Sequence, residues 1–342
     1  LHPGIHRRHR TRLVGLGQML VVTLLWSSSF PIHKVLLSAG MPPLSLAAYR
    51  YSLAAVILAA ALGFRSRREQ HAARAKGIPR AHTPAVSFWI LACIGLCMYG
   101  AQGVHMTALS LLSASDSGLV SMTWMPIAVI LLVLILDRKL PRPLQIFGLC
   151  IIFAGLYAYF PADLHRARRM GIALNLISSS MWAVAVILSH RVVNRRRISS
   201  LKLTAVTMLS GSFVLLAVAL VHDHAFVPAG WQALWLVYLA VVNTAFGFAL
   251  YNHTMKYLGA FEIAVFQDSM IIQIGILSFL FLHESVTPAM ALGMVLVSSG
   301  IAVVQVFAPS GSSSEAREGE EERHTKPLVK GDIQGISEKK MS

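Results

Sequence analysis

Charge is what this sequence has least of: 13% of its 342 residues are Asp, Glu, Lys or Arg, about half of what a soluble globular domain carries. That scarcity excludes an ordinary soluble protein of this length. Cysteine is nearly absent too, with three residues. Cys93, Cys97 and Cys150 all fall inside apolar stretches, with neither the even loop framework of a disulfide scaffold nor metal-ligand spacing, so they read as small apolar side chains. No HExxH, GxSxG, Walker A or clustered Asp motif occurs, which removes the usual handles for a membrane protease, a hydrolase or an ATP-driven pump. The stretches between apolar runs are too short for a soluble catalytic domain. No metal and no cofactor is expected, and the chain reads as a non-enzyme.

What the chain has in abundance is apolar sequence, at 55% of residues. A spanning helix needs about 20 mostly apolar residues, and ten such stretches follow one another: Leu13–Leu36, Pro43–Phe64, Phe88–Leu111, Ser117–Leu136, Pro143–Phe160, Gly171–His190, Leu203–Val221, Trp231–Tyr251, Ile263–Leu282 and Pro288–Phe307. The expected fold is an all-α polytopic membrane protein. The basic "HRRHRTR" leads into a stretch too long for a signal-peptide core, so the first helix is expected to be retained.

With the N-terminus placed inside, all Lys and Arg but Lys34, Arg50, Arg166, Arg168 and Arg169 fall on inner segments, as the positive-inside rule requires. Both termini are therefore expected in the cytoplasm, with the bacterial inner membrane as the location. The "LHRARRM" loop departs from that rule, and a re-entrant or differently placed fifth span is the alternative. The net charge of +15 does not indicate nucleic acid, because the cations sit in short loops without an aromatic-basic recognition module. The expected partners are lipid, a small solute and, as a candidate coupling ion, the proton; the oligomeric state is open.

The two halves rhyme. "LLWSSSF" sets Trp26 where "SSSMWAVAV" sets Trp182, "FWILACIG" (Trp89) answers "LWLVYLAV" (Trp235), and Asp116 of "SASDSGLV" pairs with Glu262 of "GAFEIAVF". Gly148 and Gly155 correspond to Gly293 and Gly300. Five spans per copy is an odd number, so the second copy enters the membrane from the opposite side: two inverted five-helix repeats, with a substrate site expected near the midplane between them. The expected organisation is a basic segment 1–12, a first repeat 13–160, a connecting loop 161–170, a second repeat 171–307 and a disordered tail 308–342.

The stretches "LLWSSSFPIHKVLLSAGMPPLSLAAYRYSLAAVIL", "MTWMPIAVILLVLILDRKLPRPLQIFGLCIIFAGL" and "FLHESVTPAMALGMVLVSSGIAVV" resemble the EamA family of the drug/metabolite transporter superfamily over about residues 13 to 307. The most specific pieces are Leu-Trp-Ser with the following Pro31 and Lys34, Arg50 of "AAYRYSLAA", and the Glu-x-x-Thr-Pro turn from Glu284 to Pro288 with Gly293 beyond. Asp137-Arg138-Lys139 stands where a Glu is usual, and no proline occurs near Ile271. The resemblance implies a ten-helix secondary transporter, commonly an exporter of amino acids or other small metabolites. A nucleotide-sugar or organophosphate exchanger is the alternative within transport, and a multi-pass enzyme or scaffold the alternative outside it.

Polar residues in these spans are the candidate solute contacts, because hydrocarbon penalises them unless they are paired or face water. Asp268, about five residues into its span, is the candidate for substrate or proton handling, with Gln267 on the same helix. Arg50 is a candidate partner for a substrate carboxylate, or else a structural cation. Asn243, near mid-span, offers both donors and an acceptor. Trp26, Ser28, Tyr99, Gln102, His105, Trp124, Trp182 and Tyr251 complete the candidate lining. Pro31 and Pro126 free the Ser27 and Met122 carbonyls, and are candidate bends or hinges. Ser28, Ser29 and Thr123 are placed to re-satisfy those carbonyls. Lys34 reads as an interface anchor.

Overall fold

In a computed structural model the chain is described over residues 3–75, 87–137, 142–160, 165–196, 200–254, 257–258 and 260–306. The 308–342 tail lies outside the described residues. Among them ten helices follow in order: α1 (Pro3–Ser38), α2 (Pro43–Ala75), α3 (Phe88–Leu111), α4 (Ala114–Asp137), α5 (Pro143–Tyr159), α6 (Arg166–Arg196), α7 (Ser200–His222), α8 (Gly230–Thr254), α9 (Ala260–Asp268 and Met270–Leu282, either side of Ser269) and α10 (Pro288–Val306). Nine of the helical stretches are long and apolar enough to cross a membrane; the tenth, α5, is apolar but has 17 residues, or about 25 Å. The described residues contain no strand, as expected where every backbone group must be satisfied within its own segment. Large apolar side chains cover the outside: Trp89 is 79% exposed, and Ile135, Leu234 and Phe281 are each 70% exposed. Water would not tolerate this surface, and lipid does.

Each helix begins and ends near its apolar stretch, but α1, α2 and α6 run on into charged sequence. The basic "RARRM" forms the first turn of α6 rather than a re-entrant element. Pro31 and Pro126 lie inside helices that continue through them.

The helix pairings carry the repeat. α1 packs on α8 as α6 packs on α3, α2 on α8 as α7 on α3, and α1 on α9 as α6 on α4. The contacts of α2 with α7, α4 with α9 and α5 with α10 each join a helix to its own counterpart. A two-fold relation between residues of the first and second halves generates this set.

α5 and α10 meet where the repeat-matched glycines face each other. A Cβ on Gly155 would lie 2.9 Å from the Gly293 carbonyl oxygen, and one on Gly300 would lie 2.8 Å from that of Gly148. Both pairings sit at seven-residue spacing, two helical turns, on antiparallel helices. Small residues there let backbones touch, which is how helices associate without a hydrophobic drive. One apolar cluster fills the space among α1, α2, α3, α7 and α8, and a second that among α4, α5, α9 and α10.

Candidate polar site at the α1–α2–α8 junction

α2 carries Ala47, Ala48, Ala54 and Ala55, all with no exposed surface. These small residues let α7 and α8 approach, and Arg50 is enclosed between them, 6% exposed. Its Nε donates to Thr244 Oγ1 (2.9 Å), its Nη1 to His33 Nε2 (2.5 Å) and its Nη2 to Asn243 Oδ1 (2.6 Å). A guanidinium only donates, so His33 Nε2 is the acceptor and the ring is the neutral Nδ1–H tautomer. That Nδ1 is buried without a partner. Asn243 donates its amide to the Leu25 carbonyl, and Thr244 donates its hydroxyl to the Leu239 carbonyl (2.8 Å). The partners of Arg50 are all neutral, and they engage three of its five N–H groups. The two that remain lie one on each terminal nitrogen.

Asn243 and Thr244 reach Arg50 from a π-helical stretch, Leu239–Phe246, inside α8. An i→i−5 stretch rotates the side chains that follow it and is a frequent mark of functional sites. Gly247 ends the stretch against the Trp26 indole nitrogen. Trp26 then stacks on Phe248 (5.4 Å between centroids) and Tyr251 (5.2 Å), forming an aromatic wall beside the guanidinium cluster. On the α3 side Tyr51 donates to Gln102 Oε1 (2.9 Å) and packs edge-on against Tyr99 (5.3 Å).

A second polar cluster lies among α3, α4 and α6. Asn175 of α6 accepts from Ser121 (2.8 Å) and lies 3.1 Å from His105 Nδ1, and it donates to the Ser117 carbonyl (2.9 Å). Trp124 donates to Ser180 Oγ (2.8 Å) across α4 and α6. His105 meets the edge of Phe30 of α1 (5.6 Å), which links the two clusters.

The structure thus gathers Arg50, Asn243, Trp26 and Tyr251 at one junction, sets Tyr99 and Gln102 beside it, and puts His105 with Trp124's helices opposite. It separates the others. Asp268, 9% exposed, turns toward α10, where its Oδ1 accepts from Gln305 Nε2 (3.1 Å). Gln273, five residues on, turns to α1, accepting from Ser27 Oγ (3.0 Å) and donating to Thr23 Oγ1 (3.1 Å) and Ser269 Oγ (2.9 Å). Gln267 and Trp182 are half-buried on α9 and α6. Ser28 and Ser29 bond the Leu25 (2.7 Å) and Trp26 (2.6 Å) carbonyls, not the Ser27 carbonyl that Pro31 frees; an i−3 carbonyl is within reach of a helical hydroxyl in a way that its neighbour's is not. Thr123 Oγ1 has no partner, so it does not serve the carbonyl freed by Pro126. A groove between α3 and α6, lined by Cys97, Leu176, Ile177, Ser180, Met181 and Val184, has no charged group and lies apart from Arg50.

Lys34 caps α3. Its Nζ donates to the carbonyls of Leu109 (3.1 Å) and Leu112 (2.5 Å) at the end of α3, where orphan acceptors and the negative end of the helix dipole favour a cation. Other charges close the same end of the bundle. Glu284 accepts from the Ala114 and Ser115 amides (2.7 and 3.1 Å) at the start of α4. Asp223 accepts from the Ser45 amide (2.8 Å) and hydroxyl (2.7 Å) at the start of α2. Burial pushes the Asp223 carboxyl up, but its bonds to His222 and Ser45 outweigh this and hold it below the ordinary value. Arg168 forms a two-pronged ion pair with Asp116 (2.8 Å each), so the unexpected cation of the "LHRARRM" loop has a partner on α4.

His33, Thr244 and Asn175 escaped the sequence reading. His33 lies two residues past Pro31, and Thr244 adjoins Asn243; only the depth of a polar residue, not its partner, could have flagged them.

The family model for EamA-like transporters matches residues 13–160 and again 169–306. The chain belongs to the EamA-like transporter family. It is therefore an integral membrane transporter of two repeats, acting on a small solute in lipid, and not an enzyme. One solved structure, described only as the crystal structure of a protein, matches with a TM-score of 0.60 at 18% identity over 88% of this chain and 99% of its own; the likeness is one of fold. No curated protein matches.

Proposed function

We propose that this EamA-like transporter exports amino acids or related carboxylate-bearing metabolites by alternating access, with the solute bound at the α1–α2–α8 junction. The observation that carries this reading is Arg50. A guanidinium buried in the bundle without a counter-charge costs several kcal/mol. Among the described residues its partners are neutral: hydrogen bonds to His33, Asn243 and Thr244 orient it and the Tyr51 ring lies 5.0 Å from its guanidinium carbon, but none supplies an opposite charge. A solute carboxylate supplies that charge and accepts from the two idle N–H groups, in the fork geometry that suits Arg and a carboxylate. The Trp26, Phe248 and Tyr251 wall offers the apolar surface for a side chain.

A single buried cation suits one carboxylate better than a phosphate-rich nucleotide sugar, which calls for several. The site lies where α1 and α2 of the first repeat meet α8 of the second. Rocking of one repeat against the other then exposes it to either side. Lys and Arg asymmetry assigns the capped end, with Lys34, Asp223 and Glu284, to the outside and both termini to the cytoplasm.

The test is a resistance screen in cells expressing the protein, across amino acids and toxic analogues, followed by efflux from preloaded vesicles. Export predicts that expressing cells tolerate at least one carboxylate-bearing analogue, and that vesicles lose it faster than empty controls. Tolerance confined to solutes without a carboxylate contradicts the reading.

A further inference from the structure

We propose that Asp268 and Gln305 form a proton-binding site between α9 and α10, distinct from the solute junction and joined to it by Gln273. That coupling rests on the exporter reading above; the proton site itself does not.

Two buried oxygens carry the inference. Gln305 Nε2 donates to Asp268 Oδ1, and the other oxygen of each group, Asp268 Oδ2 and Gln305 Oε1, is buried with no hydrogen-bond partner. An acid and an amide that share one such bond form an eight-membered ring when the second arm closes. The two atoms that such an arm joins, Asp268 Oδ2 and Gln305 Oε1, are both acceptors and both unpartnered. One proton on Oδ2, donated to Oε1, satisfies both orphan atoms and removes the buried charge. Reversing the amide does not escape the requirement: Oε1 then faces Oδ1, acceptor to acceptor, which again only a proton bridges.

Among the described residues no charged group bonds to either side chain of the pair. α10 has no titratable residue along Pro288–Val306. α1 meets this half of α9 through Leu16 and Met19, in a cluster with Tyr251, Leu258, Ile263 and Phe266. Of the described α1 side chains, His33 and Lys34 titrate, and they are engaged by Arg50 and by α3 carbonyls. Of the described α4 side chains, the titratable Asp116 lies at the far end, paired with Arg168. On α9 itself Glu262 lies in the first turn and Glu284 beyond the other end caps α4.

The site sits at a break. Ser269 interrupts α9 immediately after Asp268, its hydroxyl donating to the Phe266 carbonyl (2.6 Å) and accepting from Gln273. Gln273 in turn holds Ser27 and Thr23 of α1, and the Leu25 carbonyl of that same turn receives Asn243, the partner of Arg50. Losing or gaining a proton at Asp268 thus acts at an interrupted helix whose next turn is bolted to the solute junction, a contiguous route of the kind coupling requires.

The experiment uses purified full-length protein. Infrared difference spectra between acid and alkaline pH are expected to show the C=O stretch of a protonated carboxyl that titrates in wild type and is absent in Asp268→Asn, while Glu262→Gln retains it. In proteoliposomes given a labelled amino-acid mixture, a one-unit pH gradient is expected to drive up to about tenfold accumulation for one proton per solute. Asp268→Asn keeps the ring with its amide hydrogen, so it is expected to exchange solute at the wild-type rate without accumulating it. Gln273→Leu leaves the carboxyl band and abolishes gradient-driven accumulation. A band unchanged by Asp268→Asn, or accumulation that follows a sodium gradient and ignores pH, overturns the proposal. A titrating Asp268 band in protein that exchanges no carboxylate-bearing solute overturns the exporter reading and leaves the proton site standing.

Discussion

Alanine at Gly155 tests the seam between the repeats. Its Cβ would lie 2.8 Å from the Val297 amide nitrogen and 2.9 Å from both the Gly293 oxygen and Leu296 Cβ, where ordinary contact begins at 3.4 Å. Two of these neighbours are backbone, so relief requires α5 and α10 to part locally by about 0.5 Å, an overpacking that costs roughly 1–3 kcal/mol. At about 2–4 °C per kcal/mol for a chain of this class, the melting temperature in detergent is expected to fall by roughly 2–12 °C. Gly300→Ala meets Ile152 Cγ1 at 2.7 Å and the Gly148 oxygen at 2.8 Å and is expected to cost about as much. Because parting the helices at one contact relieves the other two turns away, the double variant is expected to lose less than the sum. Gly17→Ala has open space and is the control, with a small gain from helix propensity. A thermal scan read by size exclusion decides: no loss in either single variant refutes backbone contact at the seam, and full additivity refutes one shared interface.

Further outcomes follow from the capped end. Glu284→Ala removes three donors' acceptor at the start of α4 and is expected to destabilise by about 1–2 kcal/mol, read as a lower melting temperature. Lys34→Met leaves the α3 carbonyls without their cation and is expected to cost about 1 kcal/mol, with Lys34→Arg milder. Asp223 is held below the ordinary carboxylate value of 3.8. Its contribution is therefore complete above that pH and lost as pH falls through the lowered value; the acid limb of a stability profile is expected to flatten in Asp223→Asn.

The ten spans were legible because each is a long apolar run bounded by charge or turn residues, and hydrocarbon permits little else. The α5–α10 seam was legible in part, since repeat-matched glycines at Gly148, Gly155, Gly293 and Gly300 mark where two helices need to touch. The depth of Arg50 and Asn243 followed from counting residues into a helix. Their pairing did not: these helices are apolar all round, so periodicity does not say which face meets which neighbour. Nor does it say that Asp268 meets α10 while Gln273, five residues on, meets α1. The break at Ser269 and the π stretch of α8 left no trace either, since no proline marks the first and only a mid-span Asn-Thr marks the second. Lys34 looked like an anchor because a carbonyl cluster at the end of α3 has no sequence signature.

The most direct measurement is counterflow in proteoliposomes of a carboxylate-bearing solute found by the screen and of its carboxamide, by wild type, Arg50→Gln and Asn243→Ala. The account predicts that wild type prefers the carboxylate, that Arg50→Gln loses this preference at unchanged protein level and melting temperature, and that Asn243→Ala weakens it by about 1–3 kcal/mol, or about 5- to 150-fold. Carboxylate counterflow that survives Arg50→Gln with its preference intact contradicts the placement of the solute at this junction.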